Sequence, residues 1–127
     1  MGYAESETAE MTALRAGQIV LADWRDALPK EPNKLRPAVV VEDDRLFPDD
    51  YQNVLLVPLS EDGDLAPPDL SLLIDPTVEN GCSKRCYALA HCIAATSLER
   101  ITPTSSRISE NQLVAIRRQV ALAIGLE

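Results

Sequence analysis

No apolar run in this sequence approaches the roughly 20 residues that a helix needs to cross a bilayer, so no membrane span is expected. Positive charge is also short. Lys and Arg number 12 against 20 Asp and Glu, for a formal net charge of -8. That balance excludes a general coat protein for nucleic acid, which has to be basic overall. It does not exclude a local basic cleft on an acidic body. Arg25, Lys30, Lys34 and Arg36 gather in one stretch, and Lys84 and Arg85 in another. The competing reading is that these charges only keep loops in water.

The three cysteines, Cys82, Cys86 and Cys92, leave one unpaired and so give no disulfide framework. The opening "MGYAESETAE" lacks a basic region followed by an apolar one, so an export signal is not expected. A cytoplasmic setting with reduced thiols is expected instead. Cys82, Cys86, His91 and Cys92 make a poor metal set. On the predicted strand through 85–93, His91 and Cys92 point to opposite faces. There is no P-loop, no dinucleotide fingerprint and no G-x-S-x-G, so no cofactor is expected. Repeats and low-complexity tracts are missing too.

What the chain does have is a globular balance, 46% hydrophobic and 25% charged over 127 residues. That is enough for one domain with its own core. Residues 1–14 read as a flexible extension and residues 15–127 as a single domain. "GQIVLADW" reads as a strand with Ile19 and Leu21 on one face and Val20, Ala22 and Trp24 on the other. Further strands are predicted over 37–42, in "VLLVPL", in "LSLLID" and in "RCYALAHCI", for five strands, or six if the last bends into another. Pro58 places the end of the third strand at an edge or bulge. "SLERI" reads as one helical turn. Ser109 and Gln112 have capping-box spacing, and Leu113, Ile116, Val120 and Ile124 form one helical stripe that Gly125 ends. Short antiparallel strands, long loops and one C-terminal helix predict a mainly β fold, a small antiparallel barrel capped by the helix.

"KLRPAVVVEDD", residues 34–44, carries the most chemistry. Pro37 pushes Arg36 toward extended angles. The apolar run that follows is β-branched, so Arg36 falls at the mouth of a strand. A guanidinium fixed there suits recognition of an anion. From this stretch alone, a surface side chain lying over the sheet edge is the plainer reading, and the anion site is its alternative.

Taken in order, "GQIVLADW", "RPAVVVEDD", "VLLVPLS", "YALAHCIAATSLERI" and "ENQLVAIRRQVALAIGL" resemble the MazF/PemK family of toxin ribonucleases over roughly residues 16–126. The resemblance implies an SH3-like barrel, a homodimer, metal-independent cleavage of single-stranded RNA, and a cognate antitoxin as partner. Arg36-Pro37 matches the family's Arg-Pro motif, whose arginine contacts the scissile phosphate. Ser60 falls on the family's Thr or Ser at the end of the third strand. Its plainer reading is a turn cap at the start of a loop. His91-Cys92 and Ala94-Ala95 stand where the family often has an acidic residue followed by Gln, and then Arg-Thr. His91, the only histidine, is thereby a candidate general base; sharing a predicted strand face with Leu89 and Ile93, it also suits a buried core position. Arg25, Lys30, Lys34, Lys84 and Arg85 are the candidate RNA-binding cations. A second function fits the same residues, a barrel with a degraded site that binds protein or RNA. The gyrase-poisoning toxins of this fold are less similar, since "AIGLE" offers no terminal aromatic.

Overall fold

The computed structural model describes residues 13–24 and 35–126. The elements run β1 (Gln18–Ala22), β2 (Arg36–Val40), β3 (Asn53–Ser60), β4 (Ser71–Ile74), β5 (Cys86–Leu89), β6 (Ala94–Ser97), β7 (Ile101–Arg107) and α1 (Glu110–Ala123). The strands hydrogen-bond in the order β4-β5-β3-β2-β1-β7, and β6 joins β3 off that path. Every pairing is antiparallel. The fold is therefore the expected mainly β, barrel-like sheet with a C-terminal helix, although β4 and β7, at the ends of the path, do not pair. No helix among the described residues is long and apolar enough to cross a membrane.

Alternation along the strands builds two clusters on opposite faces of the sheet. Ile19, Val39, Val57, Ile74, Leu113 and Ile116 belong to the larger one, which α1 covers. Val20, Ala22, Ala38, Val40, Val54 and Leu56 make the smaller one, with Leu14 and Trp24 packed against it. The two faces predicted for the first strand are those observed. The expected extension over 1–14 lies outside the described residues except at its end, where Leu14 joins the smaller cluster.

The helix begins on the predicted capping box. Ser109 Oγ accepts from Gln112 N at 3.1 Å, and Gln112 Oε1 accepts from Ser109 N at 2.9 Å. Ser109→Ala is expected to cost about 1 kcal/mol, read as a small fall in the urea midpoint with the slope unchanged. Gly125, at φ +87°, takes the left-handed angle that ends the helix. Ile124 is a correction to the predicted stripe. It falls at the C-cap and is 65% exposed, because the chain has already left the helical path there.

Three further expectations change. Pro58 is not at an edge or at its strand's end; it lies inside the central strand β3. The predicted fifth strand stops at Leu89, and Ala90–Cys92 form a 3-10 turn before β6. After the 3-10 turn Leu98–Arg100, where "SLERI" was expected to turn, an unpredicted strand β7 pairs with β1.

Candidate functional site

The prolines determine where the sheet opens. β2 and β3 are in register through Ala38↔Pro58, Val39↔Val57 and Val40↔Leu56. Val41 N donates to Leu55 O across the same pair of strands. Hydrogen-bonded and non-bonded pairs alternate in an antiparallel ladder. Odd-numbered residues of β2 therefore point their backbone groups at β3, and Pro37 stands where an N–H toward β3 would be needed. It has none, and the ladder ends at Ala38. Continued by two residues, the register sets Ser60 opposite Arg36, just past the last paired residues. The Arg-Pro pair thus ends the β2–β3 ladder, with Arg36 and Ser60 at the mouth beyond it.

That mouth opens into a cavity of about 690 Å³. Arg36, Ser60, Asp62, Trp24 and Ala94 line it, with Leu59, Leu65 and Leu89 supplying aliphatic wall. Arg36, Ser60 and Asp62 also line a second cavity of about 440 Å³, which Lys84 and Glu61 reach. Arg36 and Ser60 thus stand where two grooves meet, both half-buried. Ser60 Oγ accepts from Asp62 N at 3.0 Å. This is the turn-capping role foreseen for it, and it leaves the hydroxyl proton free to donate elsewhere. The Asp62 carboxylate accepts from Asp64 N at 2.9 Å and so caps a short 3-10 turn.

His91 is not on a strand, and its side chain is not in the core. It is exposed on the turn Ala90–Cys92, where the backbone folds back through Ile93 N to Ala90 O. The turn breaks strand alternation, so His91 and Cys92 lie together, with 3.5 Å between His91 Nε2 and Cys92 Sγ. Cys92 lines the larger cavity, and His91 is its exposed neighbour.

The cationic candidates separate. Lys84 reaches the second cavity. Arg85 is turned aside into a 2.7 Å ion pair with Asp75. Arg25, Lys30 and Lys34 lie outside the described residues. Cys82 and Cys86 are buried with their sulfurs 3.9 Å apart. Burial, then the neighbouring Cys82, pushes the Cys86 thiol up to about 12, so it stays protonated. Among the described residues no group of three or more His, Cys, Asp or Glu side chains is placed to hold a metal ion. The loop carrying Lys84 is anchored by Asn80, which is buried: its Oδ1 accepts from Thr77 N and Cys82 N, and its Nδ2 donates to Asp75 O.

The reading of the residues missed Trp24, Asp62 and Leu65 as cavity lining. Only Trp24 had a signal, its place on the same strand face as Val20 and Ala22.

A family profile for PemK-like, MazF-like toxins of type II toxin-antitoxin systems matches residues 15–124. No curated protein matches the chain in sequence. Among solved structures, an endoribonuclease in complex with its cognate antitoxin from a mycobacterial species superposes with a TM-score of 0.69 at 16% identity, covering 91% of this chain and 98% of that one. MazF from Deinococcus radiodurans gives 0.70 at 16% identity, covering 89% and 97%. The Mycobacterium tuberculosis toxin MazF-mt6 gives 0.67 at 14% identity, covering 87% and 98%. At these identities the likeness concerns the fold.

Proposed function

The chain belongs to the PemK-like, MazF-like toxin family of type II toxin-antitoxin systems, and from that premise we propose that it cleaves single-stranded RNA at the mouth held by Arg36 and Ser60. Attack by a ribose 2′-OH on the adjacent phosphate builds a phosphorane-like transition state with added negative charge. A guanidinium fork and a hydroxyl donor stabilise that charge more than they stabilise the ground state. The 5′-oxygen leaves as a hydroxyl and a 2′,3′-cyclic phosphate remains, with no metal in the proposed chemistry. The observation that carries the reading is the register, which sets Ser60 opposite Arg36 where Pro37 ends the ladder.

Lys84, in the adjoining cavity, is proposed to hold the flanking backbone. Arg85 is given a lesser part because of its pairing with Asp75, and Arg25, Lys30 and Lys34 complete the proposed cationic set. A cognate antitoxin and a homodimeric, cytoplasmic state belong to the same proposal. Residues 15–127 are proposed to form the toxin domain.

The test is incubation of purified protein with long single-stranded RNA in EDTA, followed by analysis of the product ends. Fragments with 5′-hydroxyl and 2′,3′-cyclic phosphate ends are expected. Ala94 on the cavity wall favours a second reading, since it stands where the family often has arginine. A wild-type protein that binds RNA or an antitoxin-like peptide and cuts nothing would establish that binding module instead.

His91 is proposed as the base that accepts the 2′-OH proton. A neutral imidazole nitrogen can accept a proton, and His91 is exposed beside Cys92, which lines the cavity. His91→Ala is expected to remove nearly all activity. A folded variant with wild-type rate would take His91 out of the mechanism and move the test to Asp23 or Glu61.

A further inference from the structure

The cavity holds one feature that phosphate chemistry does not use. Trp24 is the only tryptophan of the chain and lines the cavity. Its Nε1 donates to Thr96 Oγ1 at 3.1 Å, and Thr96 is itself buried. The ring also packs against the smaller core cluster. The indole is thus held in place by a hydrogen bond and by core packing, half-buried, where it lines the cavity. Arg36 is the register partner of Ala22. Trp24 stands two residues beyond Ala22, past the end of β1, and packs against the same cluster as Ala22, which makes Trp24 and Arg36 diagonal neighbours if the register is continued. Such positions lie about 7–8 Å apart in a regular ladder.

A fixed flat aromatic surface, aliphatic wall from Leu65 and Leu89, and a guanidinium one position away fit a ligand of particular shape. It must present a planar, weakly polar face close to an anion. An unpaired nucleotide does so, with its base and its phosphate separated by one sugar. Aromatic side chains take unpaired bases by stacking, with little sequence preference from the stack itself. The aliphatic lining suits the base rather than the backbone, which is left to Arg36 and Ser60. We propose that Trp24 is a stacking platform for the nucleotide adjoining the scissile phosphate, and that it positions that phosphate against Arg36 and Ser60. The proposal rests on the ribonuclease reading and deepens it.

The single indole makes the test direct. Wild-type protein is titrated with a short random-sequence single-stranded RNA carrying 2′-fluoro riboses, which lack the attacking hydroxyl. Binding is followed by anisotropy of a label on the RNA, and indole emission is recorded in parallel. Saturable quenching that tracks the anisotropy is expected. Trp24→Leu is expected to weaken binding roughly tenfold, and Trp24→Phe, which restores an aromatic face, to stay within about twofold of wild type. Thermal melts of both variants separate lost stacking from lost fold.

RNA binding with no change in emission, or with equal affinity in the folded Trp24→Leu variant, overturns the platform. In that case cleavage of long RNA by the same wild-type preparation shows that the ribonuclease reading survives. Quenching by an acidic peptide with apolar side chains, but not by RNA, also overturns it and gives the cavity to a peptide. A wild-type protein that neither binds nor cleaves RNA defeats the ribonuclease reading, and the platform falls with it.

Discussion

Arg36→Ala lowers the rate of RNA cleavage by roughly 10²–10³ while the melting temperature stays nearly constant. The magnitude is that of losing one donor aimed at charge that develops in the transition state. The unchanged stability follows from position, since Arg36 lies at the strand mouth outside both apolar clusters. Arg36→Lys keeps the charge and loses the planar fork, so it is expected to recover only a small part of the rate. Ser60→Ala is expected to cost at least about tenfold by the same argument. It also removes the acceptor for Asp62 N, a loss of about 1 kcal/mol in stability. Initial rates on long single-stranded RNA, read beside thermal melts, separate the two effects. If both alanine variants cut at the wild-type rate, the assignment of these two residues is wrong. If either unfolds, its role is structural.

Ile116→Ala has the opposite signature. Ile116 is fully buried where α1 closes the larger cluster. Truncating such a side chain removes its transfer energy and leaves a cavity, for a cost of about 2–5 kcal/mol. Domains of this size are stable by only about 5–15 kcal/mol, so a large fall in the denaturation midpoint is expected. Ile124→Ala is the matched control. It deletes the same atoms from a side chain that is 65% exposed, and is expected to change stability by less than about 0.5 kcal/mol. Equal effects from the two substitutions would mean that the helix does not pack as described.

The two residues of this pair also show how far a sequence can be read. Helical spacing placed both on one stripe, and the stripe was right up to the residue where the helix stops. Gly125 marked the stop, but the cap preceding it already turns Ile124 outward. The first four strands and the capping box were legible because their signals are local, namely alternation, β-branching and a short polar cap. β7 was not legible. "ITPTSSR" is polar and carries a proline, which argues against a strand on its own terms. It pairs with β1 across an irregularity between Gln18 and Val20, where hydroxyl and amide side chains serve the backbone. Thr104 Oγ1 donates to Ile19 O and accepts from Ser106 N, and Gln18 Nε2 donates to Thr104 O. The contacts of Thr104 with Ile19 and Gln18 join residues 85 and 86 apart and leave no periodic trace.

The site was legible in the same uneven way. Arg36 and Ser60 were singled out through Arg-Pro and the end of an apolar strand, and the register, continued past its last pair, sets them opposite each other. His91 was placed wrongly, because a three-residue turn replaced strand geometry and brought His91 and Cys92 together. Trp24 and Asp62 reach the cavity only once β1 and the loop after β3 have folded beside each other.

The position of Pro58 has a consequence for how such a protein can change over generations. β3 ladders with β6 up to Leu56 and with β5 from Leu59, so Val57 and Pro58 lie between two partners. The alternation that points Pro37 toward β3 points the nitrogen of Pro58 to this other side, where no bond is asked of it. The chain bridges the gap with the turn bearing His91 and Cys92. Ala90 is buried, but His91 and Cys92 are exposed and belong to no ladder, so their side chains can be exchanged without disturbing the pairing of β5 or β6. The scaffold therefore keeps two replaceable positions beside its cavity. Descendants of one barrel can trade an imidazole for a carboxylate there while the sheet beneath them is inherited intact.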